Sequence, residues 1–162
     1  MGSNEAMRKW FAISALVMLS DIISKHYIKK LWVLGEHKVI NPFFDLVRYH
    51  NPGAAFSFLA DQGGWQQTMF SAFAMIAAVV MVALIARNLH QTAFCFALSL
   101  LLGGALGNLY DRLTVGYVVD FLYFHYQTWY WPAFNVADSA ICVGVAILLW
   151  DNFRQSRVKA SS

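Results

Sequence analysis

Charge is scarce in this chain. Only 13% of its 162 residues are Asp, Glu, Lys or Arg and 59% are hydrophobic, a balance that excludes an ordinary soluble domain. Cysteine is scarce too, with Cys95 and Cys142 as the two examples. They fall near opposite ends of two apolar stretches, so depth argues against a disulfide, and both read as small apolar fillers. His26, His37, His50, His90 and His125 form no HExxH or other close metal spacing, so a zinc site is not expected. There is no GxSxG, no phosphate-binding loop and no dinucleotide fingerprint. Nothing in the chain asks for a cofactor, a metal or a nucleic-acid partner. No repeat, low-complexity tract or Ser/Gly linker divides it, and residues 1–162 are expected to form a single integral membrane domain.

What is abundant is apolar sequence. A spanning helix needs about 20 mostly apolar residues. Thr68–Ala86 and Thr92–Tyr110 are free of charge, and Ala133–Trp150 carries only Asp138. Trp10–Ile28 is interrupted by Asp21 and Lys25, but their i,i+4 spacing lets them pair on one helical face. Arg8 and Lys9 ahead of this first segment resemble a signal peptide, yet no small-x-small cleavage site follows, so the segment is expected to be retained. The expected architecture is an all-α membrane bundle of four spans, about 10–28, 68–86, 92–110 and 133–150.

Four spans place both termini on one side. Counting Lys and Arg gives six residues on the terminal side against five on the other, which decides nothing. Position is more informative, because Arg8, Lys9, Arg87, Arg154, Arg157 and Lys159 sit hard against span ends, where the positive-inside rule has most force. Trp10 and Trp150 mark one interface, while Trp32, Trp65, Trp129 and Trp131 flank the other. The first loop, about 29–67, and the third, about 111–132, fall together on the outer side. Both are rich in aromatic and β-branched residues and predict short strands or interfacial pieces forming a small extramembrane cap.

The polar residues at membrane depth converge on that outer side. Gly104, Asn108 and Asp111 form one stripe of the third span. Asn135, Asp138 and Cys142 form another in the fourth, just after Pro132, a residue suited to a helix start. Asp21 lies about 16 Å along the first span from Trp10, at a comparable level. Intramembrane acids are costly and mark function by default. Asp21 and Lys25 read as a structural ion pair. Gly103 and Gly107 read as close helix packing, and Asn108 and Asn135 have an interhelical bonding role open to them. Asp120 and Asp138 resist such readings, since neither has a basic residue at i±3 or i±4. Two carboxyls in a poorly solvated place tend to share a proton. The neutral one can then polarise a carbonyl while its anionic partner takes a proton from water. A divalent cation between them is the chemical rival, and a carboxylate-based transporter or proton carrier, or a metal-dependent lipid transferase, are the alternative functions.

Four blocks then carry a resemblance. Asn51-Pro-Gly-Ala-Ala-Phe-Ser-Phe, Gly104-Ala-Leu-Gly-Asn-Leu-Tyr-Asp-Arg, Gly116-Tyr-Val-Val-Asp-Phe and Phe134-Asn-Val-Ala-Asp-Ser resemble, in order and spacing, the signature blocks of bacterial lipoprotein signal peptidase (signal peptidase II). The resemblance implies a four-helix aspartyl endopeptidase of the bacterial inner membrane. Its fold would carry an extracytoplasmic β-rich cradle and a short interfacial helix. Both termini would be cytoplasmic, and the active site would face the extracytoplasmic side. It would cleave prolipoproteins just before a diacylglyceryl-modified cysteine, in contact with membrane lipid and as a monomer. It puts the catalytic pair at Asp120 and Asp138, and supporting or substrate-contacting positions at Asn51, Gly53, Asn108, Asp111, Arg112, Asn135 and Ala137. Asp21 and Lys25 match a further motif, in which Ile22 stands where glutamine is usual.

Overall fold

The protein is described from a computed structural model covering residues 2–53 and 65–160, with side chains to residue 157. Helix α1 (Ser3–Leu31) leads into strands β1 (His37–Asn41) and β2 (Phe44–Asn51); α2 (Trp65–Arg87) and α3 (Thr92–Thr114) follow; β3 (Val118–Tyr126), β4 (Trp129–Tyr130) and α4 (Val136–Ala160) complete the order. All four helices are long and apolar enough to cross a bilayer, and with the four-stranded sheet they make the expected helical bundle with a β-rich cap. Residues 54–64 of the first outer loop lie outside the described residues. So does the Ala54–Phe58 half of the first signature block. The short interfacial helix has no counterpart among the described residues of the outer loops.

Helix α3 is the centre of the bundle. In its apolar window 56% of residues are buried, against 22% for α1 and 17% each for α2 and α4, and it packs against all three of the others. Lipid tails are as apolar as leucine, so close backbone approach replaces the hydrophobic effect as the main adhesive. Glycine supplies it. A Cβ on Gly103 would lie 2.6 Å from the Ser14 carbonyl oxygen of α1, and one on Gly104 would lie 2.5 Å from the Ala137 carbonyl oxygen of α4. Beyond these seams the helices present Leu16, Ile23, Phe73, Ile76, Val79 and Leu149 outward, the apolar face a bilayer requires. An apolar cluster of Trp10, Ile85, Cys95, Leu98 and Leu102 fills the bundle at the end near the termini. Cys95 and Cys142 are both free thiols.

The sheet is antiparallel in the order β1-β2-β3-β4. It rests on the bundle through Ile28, Val119 and Phe121, and α1 is tied to it by Arg48. The Arg48 guanidinium donates to the carbonyls of Lys29 (3.1 Å) and Trp32 (2.7 Å), which satisfies acceptors that a helix C-terminus leaves open. Across three strands, the buried Asp45 carboxylate stands 3.2 Å from His125 Nε2 and 3.6 Å from His37 Nδ1. A register shift between Leu46 and Tyr49 realigns β2 on β3 so that Tyr49 pairs with Asp120 and Asn51 with Val118. Such an irregularity re-aims the side chains beyond it, and here it brings Asn51 to Asp120.

The fourth helix begins later than its sequence suggested. Pro132 does not start it, because Phe134 first bridges back to Leu122, with N–H···O bonds of 3.0 and 2.8 Å in the two directions. The helix starts at Val136 and runs on to Ala160, past the expected Trp150. Asp138 therefore stands in its first turn instead of within the span.

Candidate active site

Asn135, Val136, Ala137 and Asp138 form a reciprocal cap. The Asn135 side-chain oxygen accepts from the Asp138 backbone N–H at 2.9 Å, and the Asp138 carboxylate accepts from the Asn135 N–H at 3.3 Å. This is the capping-box arrangement in Asn/Asp form, and it fixes Asp138 at the positive end of the helix dipole. A second bond comes from α3, where the Asn108 amide donates to Asp138 Oδ1 at 2.7 Å.

Asp120 approaches from β3. It is 3% exposed, and its two oxygens accept from Asn135 Nδ2 at 2.7 Å and Asn51 Nδ2 at 3.0 Å. Asn135 thus holds both acids, Asp120 through its side-chain N–H and Asp138 through its backbone N–H. Burial pushes the Asp120 carboxyl up to about 7, and the neighbouring Asp138 charge adds to the rise. The two asparagine bonds and the Lys25 charge oppose it, because they favour the anion. The strand and the helix that carry the two acids are brought to one place, which spacing alone did not dictate.

Behind this pair lies a buried ion network. Lys25 Nζ reaches Asp21 at 2.6 Å and Asp111 at 3.2 Å, and donates to Asn108 Oδ1 at 2.8 Å. Its three N–H groups thus have three acceptors. The bond to Asn108 orients that amide, so that its NH2 faces Asp138. Asp111 also accepts from the Val119 N–H at 3.2 Å, holding the strand that carries Asp120. Asp21 accepts from the Ala137 N–H at 2.9 Å, in the first turn of α4. The Asp21–Lys25 ion pair forms at the i,i+4 spacing, and its further contacts link α1, α3 and α4.

The remaining candidates form walls. Asn51 accepts from the Gly53 N–H at 2.9 Å, closing a turn in which Gly53 takes φ +96°, and a Cβ there would lie 2.9 Å from Phe70. The Arg112 guanidinium lies 5.7 Å from the same Phe70 ring. Its Nε is buried and has no partner among the described residues. Ala137 is fully buried against Gly104 and Asp21, a place from which it supports the helix start. Sequence reasoning missed three parts of this arrangement. The Asn-x-x-Asp cap was readable from its own spacing. Phe70 carried no local signal, and the stacking of His50 on Tyr117 at 3.7 Å depends on strand pairing. Burial and the Arg48 and Lys29 charges lower the His50 pKa, which keeps that imidazole neutral beside the site. Among the described residues no group of three or more His, Cys, Asp or Glu side chains converges in a metal-binding arrangement.

Known proteins resemble this chain over most of its length. The family model described as "Signal peptidase (SPase) II" matches residues 13–154. The lipoprotein signal peptidase of Paraburkholderia phytofirmans is 46% identical over 155 residues, covering 96% of this chain and 90% of that protein. That of a Janthinobacterium species is 45% identical over 153 residues, covering 94% and 93%. A solved bacterial membrane enzyme, determined by the in meso method at 2.3 Å resolution, superposes with a TM-score of 0.81 at 28% identity, covering 91% of this chain and 89% of its own. A second, at 1.9 Å resolution, gives 0.77 at 29% identity, with 88% and 91% covered. On a match that spans most of its length, the chain belongs to the signal peptidase II family of membrane peptidases.

Proposed function

We propose that the chain is an aspartyl endopeptidase that cleaves prolipoprotein signal peptides just before a diacylglyceryl-modified cysteine, with Asp120 and Asp138 as its catalytic pair. One observation carries the assignment: two acids from different elements, a strand and a helix start, are held by the two N–H donors of a single residue, Asn135. A carboxyl raised to about 7 by burial still carries its proton in a substantial fraction of molecules at neutral pH. Asp120 is then the acid that donates to the scissile carbonyl oxygen, and Asp138 is the base that takes a proton from the attacking water. Addition gives a tetrahedral diol. In its breakdown Asp138 passes its proton to the leaving amine, and Asp120 recovers one from the diol as the carbonyl reforms. No covalent enzyme intermediate is needed.

Asn51, Asn108 and Asn135 are positioning residues in this reading. Gly53, Phe70 and Arg112 bound the space where substrate would lie, and the unpartnered Arg112 Nε offers a donor for a substrate carbonyl. A site at the end of helices apolar enough to cross a bilayer suits a substrate whose cysteine carries acyl chains. In the bacterial inner membrane the site would face the extracytoplasmic side. Supporting this orientation, the cations placed hard against span ends, Arg8, Lys9, Arg87, Arg154 and Arg157, belong to the opposite end of the bundle.

The test uses the reconstituted chain with a diacylglyceryl-modified prolipoprotein. Asp120→Asn and Asp138→Asn should each fold and lose cleavage by a factor of 10³ or more, on the order of 4 kcal/mol of transition-state stabilisation. Wild-type cleavage should persist in excess chelator. Full activity in either variant would remove the dyad, and abolition by chelator would replace it with a metal centre.

A further inference from the structure

The end of the bundle away from the dyad holds a cleft of about 440 Å³, lined by Ser3, Ala6, Lys9, Trp10, Leu89, His90 and Thr92. From Thr92 to Asp111 the central helix rises about 28 Å, so this cleft stands at the other membrane interface. It is not part of the peptidase site.

A cation and several hydrogen-bond donors line it. Lys9 extends over the Trp10 ring, with Nζ 4.7 Å from the centroid, and Ser3 and Thr92 supply hydroxyls. Thr92 opens α3, whose first-turn N–H groups point out of the helix end. The cap residue Gln91 makes no side-chain bond to them, and its Nε2 donates to Asn88 Oδ1 at 3.0 Å. Trp10 is 3% exposed, and its indole N–H has no partner among the described residues. A buried donor left unpaired is uncommon and calls for an explanation. Among the described residues no acidic side chain lines the cleft. The neighbouring cleft across the α2–α3 turn differs in this respect, since Asp151 stands there beside Arg154.

We propose that the Lys9–Trp10–Thr92 cleft is a binding site for the phosphate of an anionic phospholipid headgroup. A cation, hydroxyls, an indole N–H and an uncapped helix start are the donors a phosphodiester takes. Leu89 and Ala6 line the same cleft between spans that face the hydrocarbon, so the glycerol and acyl chains of a lipid have an apolar exit. Free phosphate has the same donors available but gains nothing from that exit. A lipid seated here clamps the start of α1 to the α2–α3 turn.

Native mass spectrometry of the detergent-solubilised full chain tests the site, with short-chain phosphatidylglycerol, short-chain phosphatidylcholine and inorganic phosphate as probes. Phosphatidylglycerol should bind saturably at one site and raise Tm, and the other two should bind more weakly. Lys9→Gln should weaken phosphatidylglycerol by roughly fivefold or more, the worth of one basic contact at a lipid surface. Arg8→Gln removes the same charge one residue away, outside the cleft, and should leave the affinity unchanged. Trp10→Phe keeps the ring, removes the N–H and should also weaken binding. Equal losses in Lys9→Gln and Arg8→Gln would reduce the effect to diffuse charge and overturn the site. Equal binding of inorganic phosphate would overturn the lipid assignment, and absence of saturable binding would overturn both.

Discussion

At the scale of single residues, the site is an exercise in where one proton sits. Burial raises Asp120 to about 7, so its protonated form is lost as pH rises through that value. Cleavage measured as kcat/KM should therefore fall above about pH 7, approaching tenfold per pH unit, with the apparent pKa belonging to the pair. A flat profile from neutral to alkaline pH would contradict the assignment of the proton. Asn135→Ala tests the same balance from the other side. Its amide favours the anion of Asp120, so its loss should move the alkaline limb to higher pH. It should also lower stability by about 1 kcal/mol through the lost cap, read as a lower Tm in detergent. The acids themselves were legible in the sequence, because an unpaired aspartate in apolar surroundings has few structural excuses. That one asparagine serves both was not, since its two bonds run to elements 15 residues apart and within its own helix start.

At the scale of elements, α3 is a helix whose small residues decide how near its neighbours come. A Cβ at Gly107 would lie 2.6 Å from Asp21 Oδ2, the oxygen that Lys25 holds. Gly107→Ala should displace that carboxylate and disturb the Lys25–Asn108–Asp138 sequence of contacts. We expect a loss of about 1–3 kcal/mol from overpacking, seen as a lower Tm, together with a fall in kcat while the protein remains folded. Unchanged kcat in a folded Gly107→Ala protein would show that the network does not reach the dyad. The sequence marked Gly103 and Gly107 as a packing pair. It did not reveal that the two glycines serve different ends, Gly103 admitting the α1 backbone and Gly107 admitting a charged side chain. It also misplaced the start of α4, because the bridge between Phe134 and Leu122 is a tertiary contact that overrides the local preference of Pro132.

At the scale of the whole molecule, the bundle is polar at one end of its interior and apolar at the other, and the cap covers the polar end. If that end faces outward, cysteines placed at opposite ends should differ in access. In a variant with Cys95 and Cys142 replaced by serine, Val39→Cys on the exposed edge strand should react with an impermeant maleimide on intact cells. Asn152→Cys, on the exposed far end of α4, should react only after the membrane is opened. The reverse pattern would invert the orientation. The sequence alone indicated four helices apolar enough to cross a bilayer and which loops share an end of the bundle, because hydrocarbon thickness and the cost of buried charge act on local composition. It also singled out the acids, for the same reason. Only the tertiary structure decided that they meet. Asp120 reaches the site through a register shift in β2–β3 pairing and Asp138 through the cap of a helix that starts late. Lys25 connects them to α1 from 83 residues before Asn108. Such contacts join residues far apart along the chain, and no local periodicity encodes them.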